Sequence, residues 1–206
     1  MKKFTLFTAC ACFLLLAACS SETPQPATKK AEEKPAEPVT GQRALYQMYT
    51  AARGWSADIQ PLRMNSILLQ EVKAEPGKAA AWEVTFTSQR LSKARNYTYS
   101  VIEAQGNLHK GVFAGLDQGW SGPSRTNKPF LMAAVKIDTD AAYQTALKKG
   151  ADYDKKNPGK PITFVLEKTD KYPDPAWRVV WGESVGTSNF SVYVDASTGE
   201  YLETMR

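Results

Sequence analysis

The pattern of helix-like and strand-like segments repeats along this chain, and the repetition limits the folds that the sequence can adopt. Three pairs of landmark residues share a separation of about 95 residues, namely Gly54 and Gly150, Trp82 and Trp177, and Gly106 and Gly199. A near-constant offset at three separate landmarks is typical of an internal repeat. The sequence therefore predicts two copies of one supersecondary unit.

The first copy is predicted to begin with an amphipathic helix. Leu45, Met48, Tyr49 and Ala52 stand at positions i, i+3, i+4 and i+7, which places them on one face of a helix. Gly54 follows at a position where a glycine commonly ends a helix. A helix with one buried face is therefore expected before Gly54.

The second copy repeats this arrangement. Asp138 or Thr139 can cap the amino end of a helix. The apolar side chains that share one face of this helix are Tyr143, Ala146 and Leu147. Gly150 is predicted to end it.

Four strand-like runs with a period of two follow each helix. In the first copy they cover residues 64–72, 82–87, 97–103 and 108–113, and in the second copy residues 162–168, 177–182, 190–195 and 200–204. Short turns between consecutive strands favour antiparallel pairing, and each helix must cover one face of a sheet to bury its apolar side.

The predicted fold class is therefore α+β, with two tandem repeats that each pack one helix on an antiparallel sheet of about four strands. The repeats are expected at residues 41–114 and 133–206, as two lobes joined by a linker at 115–132 that is rich in Gly, Pro, Ser and Asn.

Alternation within the strands separates core residues from turn residues. Trp82 and Trp177 occupy matching repeat positions and are predicted to lie in the core. Asp195 is predicted to form a turn by accepting hydrogen bonds from backbone donors two residues on. Gly199 can then take the positive φ that a bulged hairpin turn requires.

The second copy resembles a known family. The resemblance rests on three motifs: the helix with Ala146-Leu147 and Gly150, the run Pro175-Ala176-Trp177-Arg178-Val179, and the run Val192-Tyr193-Val194-Asp195-Ala196-Ser197-Thr198-Gly199-Glu200. These residues are similar to those of a PepSY-type domain. The first copy is similar more faintly, and it has Glu103-Ala104-Gln105-Gly106 where the aspartate and threonine would stand.

The PepSY resemblance implies a helix packed on an antiparallel sheet. Such domains occur in propeptides of secreted metalloproteases and, in tandem, in extracytoplasmic bacterial proteins. The resemblance also implies a noncatalytic module that binds, inhibits or assists another protein. Its motifs consist mostly of turn and core residues, and a fold by itself does not fix a function.

The amino terminus predicts export and lipidation. Lys2 and Lys3 precede an uncharged apolar run at 4–18, which is shorter than the roughly 20 residues of a membrane-spanning helix. The motif Leu16-Ala17-Ala18-Cys19 resembles the lipobox of bacterial lipoproteins. This resemblance implies a signal peptide at 1–18, lipidation of Cys19 and acylation of the new amino terminus by a chain such as palmitate. Ser20 stands where inner-membrane lipoproteins carry Asp, so the periplasmic face of the outer membrane is favoured over the inner membrane.

Residues 19–40 are predicted to be a flexible tether. The segment is rich in proline and charged residues and contains no aromatic residue, so it cannot bury enough apolar surface to offset the entropy of ordering. The alternating charges would also keep such a tail soluble, and the two interpretations are compatible.

Charge argues against a nucleic-acid partner. The net charge of +5 falls to about +3 once residues 1–18 are removed, which is too small an excess to indicate a phosphate-binding surface. The single histidine leaves little scope for histidine-dependent chemistry.

Few patterns indicate catalysis or metal binding. Gly119-Trp120-Ser121-Gly122 begins like a nucleophile elbow, but Pro123 replaces the second glycine, so a loop is predicted. Asp152 and Asp154 begin like a calcium loop, but Lys156 occupies the next ligand position. His109 is expected at a surface or strand edge. No catalytic residue, metal ligand or cofactor is predicted.

Two tryptophans are candidate partner-binding residues. Trp55 and Trp120 lie in polar or glycine-rich surroundings, where exposed aromatic side chains can form a binding patch. Partial burial of both side chains between the lobes is an equally open alternative.

These observations favour a lipid-anchored periplasmic binding module without enzymatic activity that engages a protein or peptide partner, such as an envelope protease or assembly complex. The alternative is a structural or stress-related envelope scaffold that acts by self-association. An enzyme ranks third, and a small-molecule receptor requires an apolar pocket that the sequence does not reveal. The partner, the oligomeric state and the lobe orientation stay open.

Overall fold

The computed structural model describes residues 35–106 and 108–206. The helices are α1 (Gly41–Ala52) and α2 (Thr139–Lys156), and a 3₁₀ turn covers Met132–Ala134. The strands are β1 (Val39–Thr40), β2 (Gln60–Ile67), β3 (Lys78–Ala79), β4 (Ala81–Ser88), β5 (Lys93–Ser100), β6 (Gly111–Gly119), β7 (Ile162–Glu167), β8 (Ala176–Trp181), β9 (Ser191–Asp195) and β10 (Tyr201–Met205). The predicted signal peptide, Cys19 and most of the predicted tether lie outside the described residues. Within the described part of the chain, no helix has the length and apolarity to span a membrane.

Eight of the strands form one antiparallel sheet with the order β10-β9-β8-β7-β2-β4-β5-β6, while β1 and β3 pair separately. The predicted α+β class is confirmed. The predicted pair of separate four-stranded sheets is instead one continuous sheet, because β2 pairs with β7 through Arg63↔Glu167, Met64↔Leu166 and Asn65↔Val165. Their pairing satisfies backbone groups that two isolated four-stranded sheets would leave at open edges.

Both helices pack on the same face of this sheet. Helix α1 lies over β4 and β5, and α2 lies over β8 and β9. The predicted apolar faces are confirmed, since Leu45, Met48, Ala52 and Ala146 are fully buried and Tyr49, Tyr143 and Leu147 pack against the same core. The hydrophobic core is therefore shared by the two halves, in place of one core for each predicted lobe.

The amino ends of the two helices meet and share their caps. The Thr139 hydroxyl accepts a hydrogen bond from the Gly41 N–H at 2.8 Å and donates one to the Gly77 carbonyl at 2.5 Å. The Asp138 carboxylate accepts from the N–H groups of Thr139 at 2.7 Å and Gln42 at 2.8 Å. One carboxylate at the start of α2 thus satisfies free donors of both helices.

Trp82 and Trp177 lie at the centre of the core, as predicted. Both are fully buried, and their rings meet edge to face with centroids 6.4 Å apart. The Trp82 indole donates to the Val39 carbonyl at 3.2 Å, and the Trp177 indole donates to the Ile137 carbonyl at 2.8 Å. Each acceptor lies two residues before a helix. Val39, which sequence reasoning placed in the tether, is therefore a buried part of the fold.

The strand bounds differ from the prediction at β6, as they do at β2. Strand β6 begins at Gly111 and continues to Gly119, so the first residues of the predicted linker belong to the sheet. The Asp195 prediction is confirmed, because its carboxylate accepts from the N–H groups of Ser197 and Thr198 at 2.7 and 2.9 Å. Gly199 follows with a φ of 80°.

Helix α1 ends just before Gly54 as predicted, whereas the prediction that Gly150 ends α2 is wrong. Helix α1 ends at Ala52 without a left-handed residue at Gly54. Helix α2 continues past Gly150 to Lys156. The physical reason lies in packing, since a Cβ at position 150 would stand 2.8 Å from Cη2 of Trp181. Gly150 is therefore a contact residue of the core.

This packing gives a testable sign. Gly→Ala in a helix interior ordinarily stabilises a protein by about 1 kcal/mol, but the Trp181 ring cannot yield easily here. That ring is fully buried, meets Phe190 edge to face and donates to Asp154 at 2.9 Å. We expect Gly150→Ala to lower the free energy of unfolding by about 1–3 kcal/mol in urea titrations. Lys148→Ala, on the exposed side of α2, is the control and should change little; a more stable Gly150→Ala variant would contradict this account.

Candidate functional site

Trp55 and Trp120, the predicted partner-binding residues, lie at the same end of the β5–β6 ladder. The Trp55 ring stacks under the Arg95 guanidinium, whose carbon lies 5.0 Å from the ring centroid. The main-chain N–H of Trp120 donates to the Ser92 carbonyl at 3.1 Å. Both side chains are half-buried. They lie at the sheet edge farthest from the second half of the chain. This position is inconsistent with the alternative in which both side chains are partly buried between two lobes.

The position of Arg95 is fixed by an ion-pair group on β5 and β6. Arg95 Nε donates to Asp117 Oδ1 at 2.6 Å, and Lys93 Nζ lies 3.1 Å from Asp117 Oδ2. Hydrogen bonds from Lys93 and then from Arg95 hold the pKa of Asp117 below its usual value. The carboxylate therefore stays ionised and orients the guanidinium over the indole of Trp55.

A cluster of hydroxyl and carboxylate groups fixes the loop that carries Trp55. Asp58 Oδ1 accepts from the hydroxyls of Ser88 at 2.6 Å and Ser56 at 2.7 Å, and Asp58 Oδ2 accepts from the Arg90 N–H at 2.9 Å. Ser56 and Ser88 are buried. Sequence reasoning missed this cluster, because Ser56 and Asp58 have the appearance of ordinary loop residues and Ser88 lies far away in the chain.

The Asp58 cluster predicts a pH dependence. Three hydrogen bonds hold the pKa of Asp58 well below its usual value; the largest effect comes from Ser88, the next from the Arg90 N–H and the smallest from Ser56. A depressed pKa in the folded state stabilises the fold above the ordinary pKa of about 4, and this stabilisation is lost as the pH falls.

We therefore expect Asp58→Asn to be less stable than the wild type at pH 7, and the difference to shrink steadily as the pH is lowered from 5 to 2 in urea titrations. Asp152→Asn, on the exposed part of α2, serves as the control. A stability difference that is the same at every pH would show that charge on Asp58 plays no part.

The strand β6 forms one end of the sheet and presents apolar side chains to solvent. It spans nine residues, and Leu116 and Phe113 are 87% and 39% exposed. An edge strand directs part of its N–H and C=O groups away from the sheet, where another extended chain can pair with them. We name β6 together with Trp55 and Trp120 the β6 edge.

The opposite end of the sheet is less open. Strand β10 has five residues. Its Glu203 side chain is held by the Lys171 ammonium and the Tyr172 hydroxyl, which come from the loop before β8. Desolvation and this contact with Glu203 raise the pKa of Tyr172 above its usual range.

The most buried carboxylate has a structural environment. Glu167 is 5% exposed and accepts from Arg63 at 2.6 Å and from the Tyr193 hydroxyl at 2.8 Å. Burial has the largest effect in raising the pKa of Tyr193, and the charge of Glu167 has the next largest. These contacts connect β2, β7 and β9, so they strengthen the junction between the two halves of the sheet.

The remaining candidates do not assemble into a catalytic or metal centre. His109 Nδ1 lies 3.3 Å from Glu103 Oε2, and its ring packs 4.7 Å from Phe113. Asp154 accepts from the Trp181 indole. In residues 35–106 and 108–206, the structure shows no group of three or more His, Cys, Asp or Glu side chains able to hold a metal ion.

The comparison with family models now identifies one part of the chain. The matching family is described as "Peptidase propeptide and YPEB domain" and covers residues 136–205. Residues 136–205 form a PepSY domain. The PepSY domain contains α2 and the strands β7 to β10, so the β6 edge lies outside it. No curated protein and no solved structure showed a significant match.

Proposed function

We propose that this chain is a lipid-anchored periplasmic binding module, without catalytic activity, that holds an extended segment of a partner protein along the β6 edge. Support for the noncatalytic role comes from the PepSY domain, because such domains are often noncatalytic modules that resemble protease propeptides. An envelope protease or an assembly complex is the partner class that fits this role.

The observation that carries the proposal is the exposed strand β6. Its nine residues can pair with a partner strand through main-chain hydrogen bonds, which supply affinity. Leu116 and Phe113 project from the strand and are exposed, so they can contact alternate side chains of the added segment and supply specificity.

Trp55 and Trp120 add anchoring contacts at the end of this strand. Half-buried indoles offer large apolar area at little conformational cost, and such side chains dominate the energetics of many interfaces. The Arg95 guanidinium holds the Trp55 ring from one side. A peptide that follows β6 to Gly119 would end beside Trp120, while Trp55 lies against Arg95 of the neighbouring strand β5.

The anchor is proposed from the motif Leu16-Ala17-Ala18-Cys19 and from Ser20. Lipid on Cys19 would hold the chain at the periplasmic face of the outer membrane, since several acyl chains bind a membrane far more firmly than one. The proline-rich segment after Cys19 would then keep the folded part clear of the headgroups.

We also propose that the first half of the fold is a diverged copy of the PepSY unit. Trp82 and Trp177 make equivalent hydrogen bonds to carbonyls that precede α1 and α2. The strand order is also symmetric about the β2–β7 pair. In this view, the second half keeps the family sequence, while the first half carries the binding edge.

Site-specific photo-crosslinking tests the proposed function. A benzophenone amino acid is placed at position 116 of the full anchored chain, with position 148 on α2 as the matched exposed control, and cells are irradiated. We expect a heterologous product from position 116 and none from position 148. In a second experiment, the crosslinker replaces Phe113 and Leu116 is left intact. Adding Trp120→Ala to this chain removes an anchor and should lower the yield of the crosslinked product.

The other outcomes are also informative. A product consisting of two copies of this chain would overturn the heterologous-partner proposal and favour the self-associating scaffold. An absence of any product from position 116 in the anchored form would overturn strand addition at β6. Repeating the experiment with Cys19→Ala tests whether the anchor is needed for the encounter.

A further inference from the structure

A second surface, distant in the chain from β6, has the character of a ligand site. A half-open groove of about 430 Å³ lies between the loop that follows β2 and the segment that leads into β7. Ligand sites in proteins commonly have volumes of about 300–1,000 Å³ and mostly apolar walls. The apolar side chains that line this groove include Ile67, Leu68, Leu69, Val72, Tyr143 and Ile162.

The wall of the groove is held by the shared cap of the two helices. Gly77 lines the groove, and its carbonyl accepts from the buried Thr139 hydroxyl. Its φ of 74° favours glycine, and a Cβ there would stand 2.4 Å from the Asp140 Cα. The loop therefore lies directly against the amino end of α2, which fixes this wall of the groove.

The rim of the groove carries an excess of positive charge. Lys73, Lys78 and Lys160 line it, against the single carboxylate of Glu75. The Lys78 ammonium is 2.7 Å from the Glu75 carboxylate, so these two charges compensate each other. Lys160 donates to the Tyr153 hydroxyl at 2.8 Å, a neutral partner. Lys73 and Lys160 thus supply positive charge that the rim itself does not neutralise.

The lining chemistry favours an aliphatic chain over a peptide. A peptide that enters an apolar groove must find partners for its N–H and C=O groups or lose about 1–3 kcal/mol for each one. Among the side chains that line this groove, those with polar atoms are Lys73, Glu75, Lys78, Tyr143 and Lys160, and the others are apolar or glycine. A saturated chain needs no such partners, and its burial yields about 0.8 kcal/mol for each CH₂.

We propose that this groove binds one long-chain carboxylic acid, with its acyl chain against Leu69, Val72 and Tyr143 and its carboxylate between Lys73 and Lys160. The apolar wall supplies the affinity, and the two ammonium groups select an anionic head over a neutral or cationic one. The groove and the β6 edge share no residue, so each site stands or fails independently.

Titration calorimetry of the full Cys19→Ala chain with dodecanoate, below its micellar concentration, tests this site. We expect one dodecanoate per chain, with dodecylamine and dodecanol binding at least threefold more weakly. Lys73→Met together with Lys160→Met should weaken dodecanoate binding about threefold to tenfold. Lys148→Met and Lys155→Met form the matched control pair on α2 and should leave the affinity unchanged.

A wall variant tests the acyl chain separately. Ala74 lines the groove and lies exposed on the loop, so Ala74→Asp should weaken dodecanoate binding through its charge while the thermal unfolding of the protein stays close to wild type. Equal affinities for dodecanoate and dodecylamine would overturn the proposed selection by the lysines. Binding of the peptide Leu-Leu-Leu with no binding of dodecanoate would overturn the proposal and assign the groove to a protein segment.

Discussion

The Thr139 hydroxyl and the Asp138 carboxylate satisfy backbone groups from three parts of the chain at one buried point. Between them they accept from Gly41 and Gln42 at the start of α1, and Thr139 also donates to the Gly77 carbonyl. Helix α1 has no capping hydrogen bond from its own N-cap side chain, so its start depends on residues almost a hundred positions away. Because a buried N–H without a partner costs about 1–3 kcal/mol, the start of α1 is stable only when α2 is in place, whereas α2 is capped by its own Asp138.

The large side chains below this point reinforce the coupling. Trp82 lies against Phe164 and Trp177 with ring centroids 6.1 and 6.4 Å away, so a residue from the first half contacts two from the second. A Cβ on Gly41 would stand 2.7 Å from the Trp177 ring, which explains why the helices can meet there only with glycine. Joining the halves at β2 and β7 leaves β6 and β10 as the ends of the sheet, and β6 is the longer and more exposed of the two.

Local sequence patterns predicted much of the fold, whereas contacts between segments that are distant in the chain could not be predicted from the sequence. The faces of α1 and α2 and the burial of Trp82 and Trp177 follow from periodicity, and the Asp195 turn follows from side-chain chemistry. The β2–β7 pair has no local signature, because an interior strand and an edge strand can have the same alternation. The prediction that Gly150 ends α2 fails for a related reason: the role of Gly150 depends on Trp181, and only the fold brings the two together. The β6 edge and the Asp58 cluster arise in the same way from distant residues.

Amide hydrogen exchange under native conditions tests most directly whether the two halves form one cooperative unit. Strand β4 belongs to the first half and β8 to the second, and both are interior strands, each third from one end of the sheet. If the shared cap and the joined sheet couple the halves, the slowest amides of β4 and β8 exchange with the same opening free energy, within about 0.5 kcal/mol, and respond equally to urea. Opening free energies that differ by several kcal/mol would show two units that unfold separately and would contradict the account.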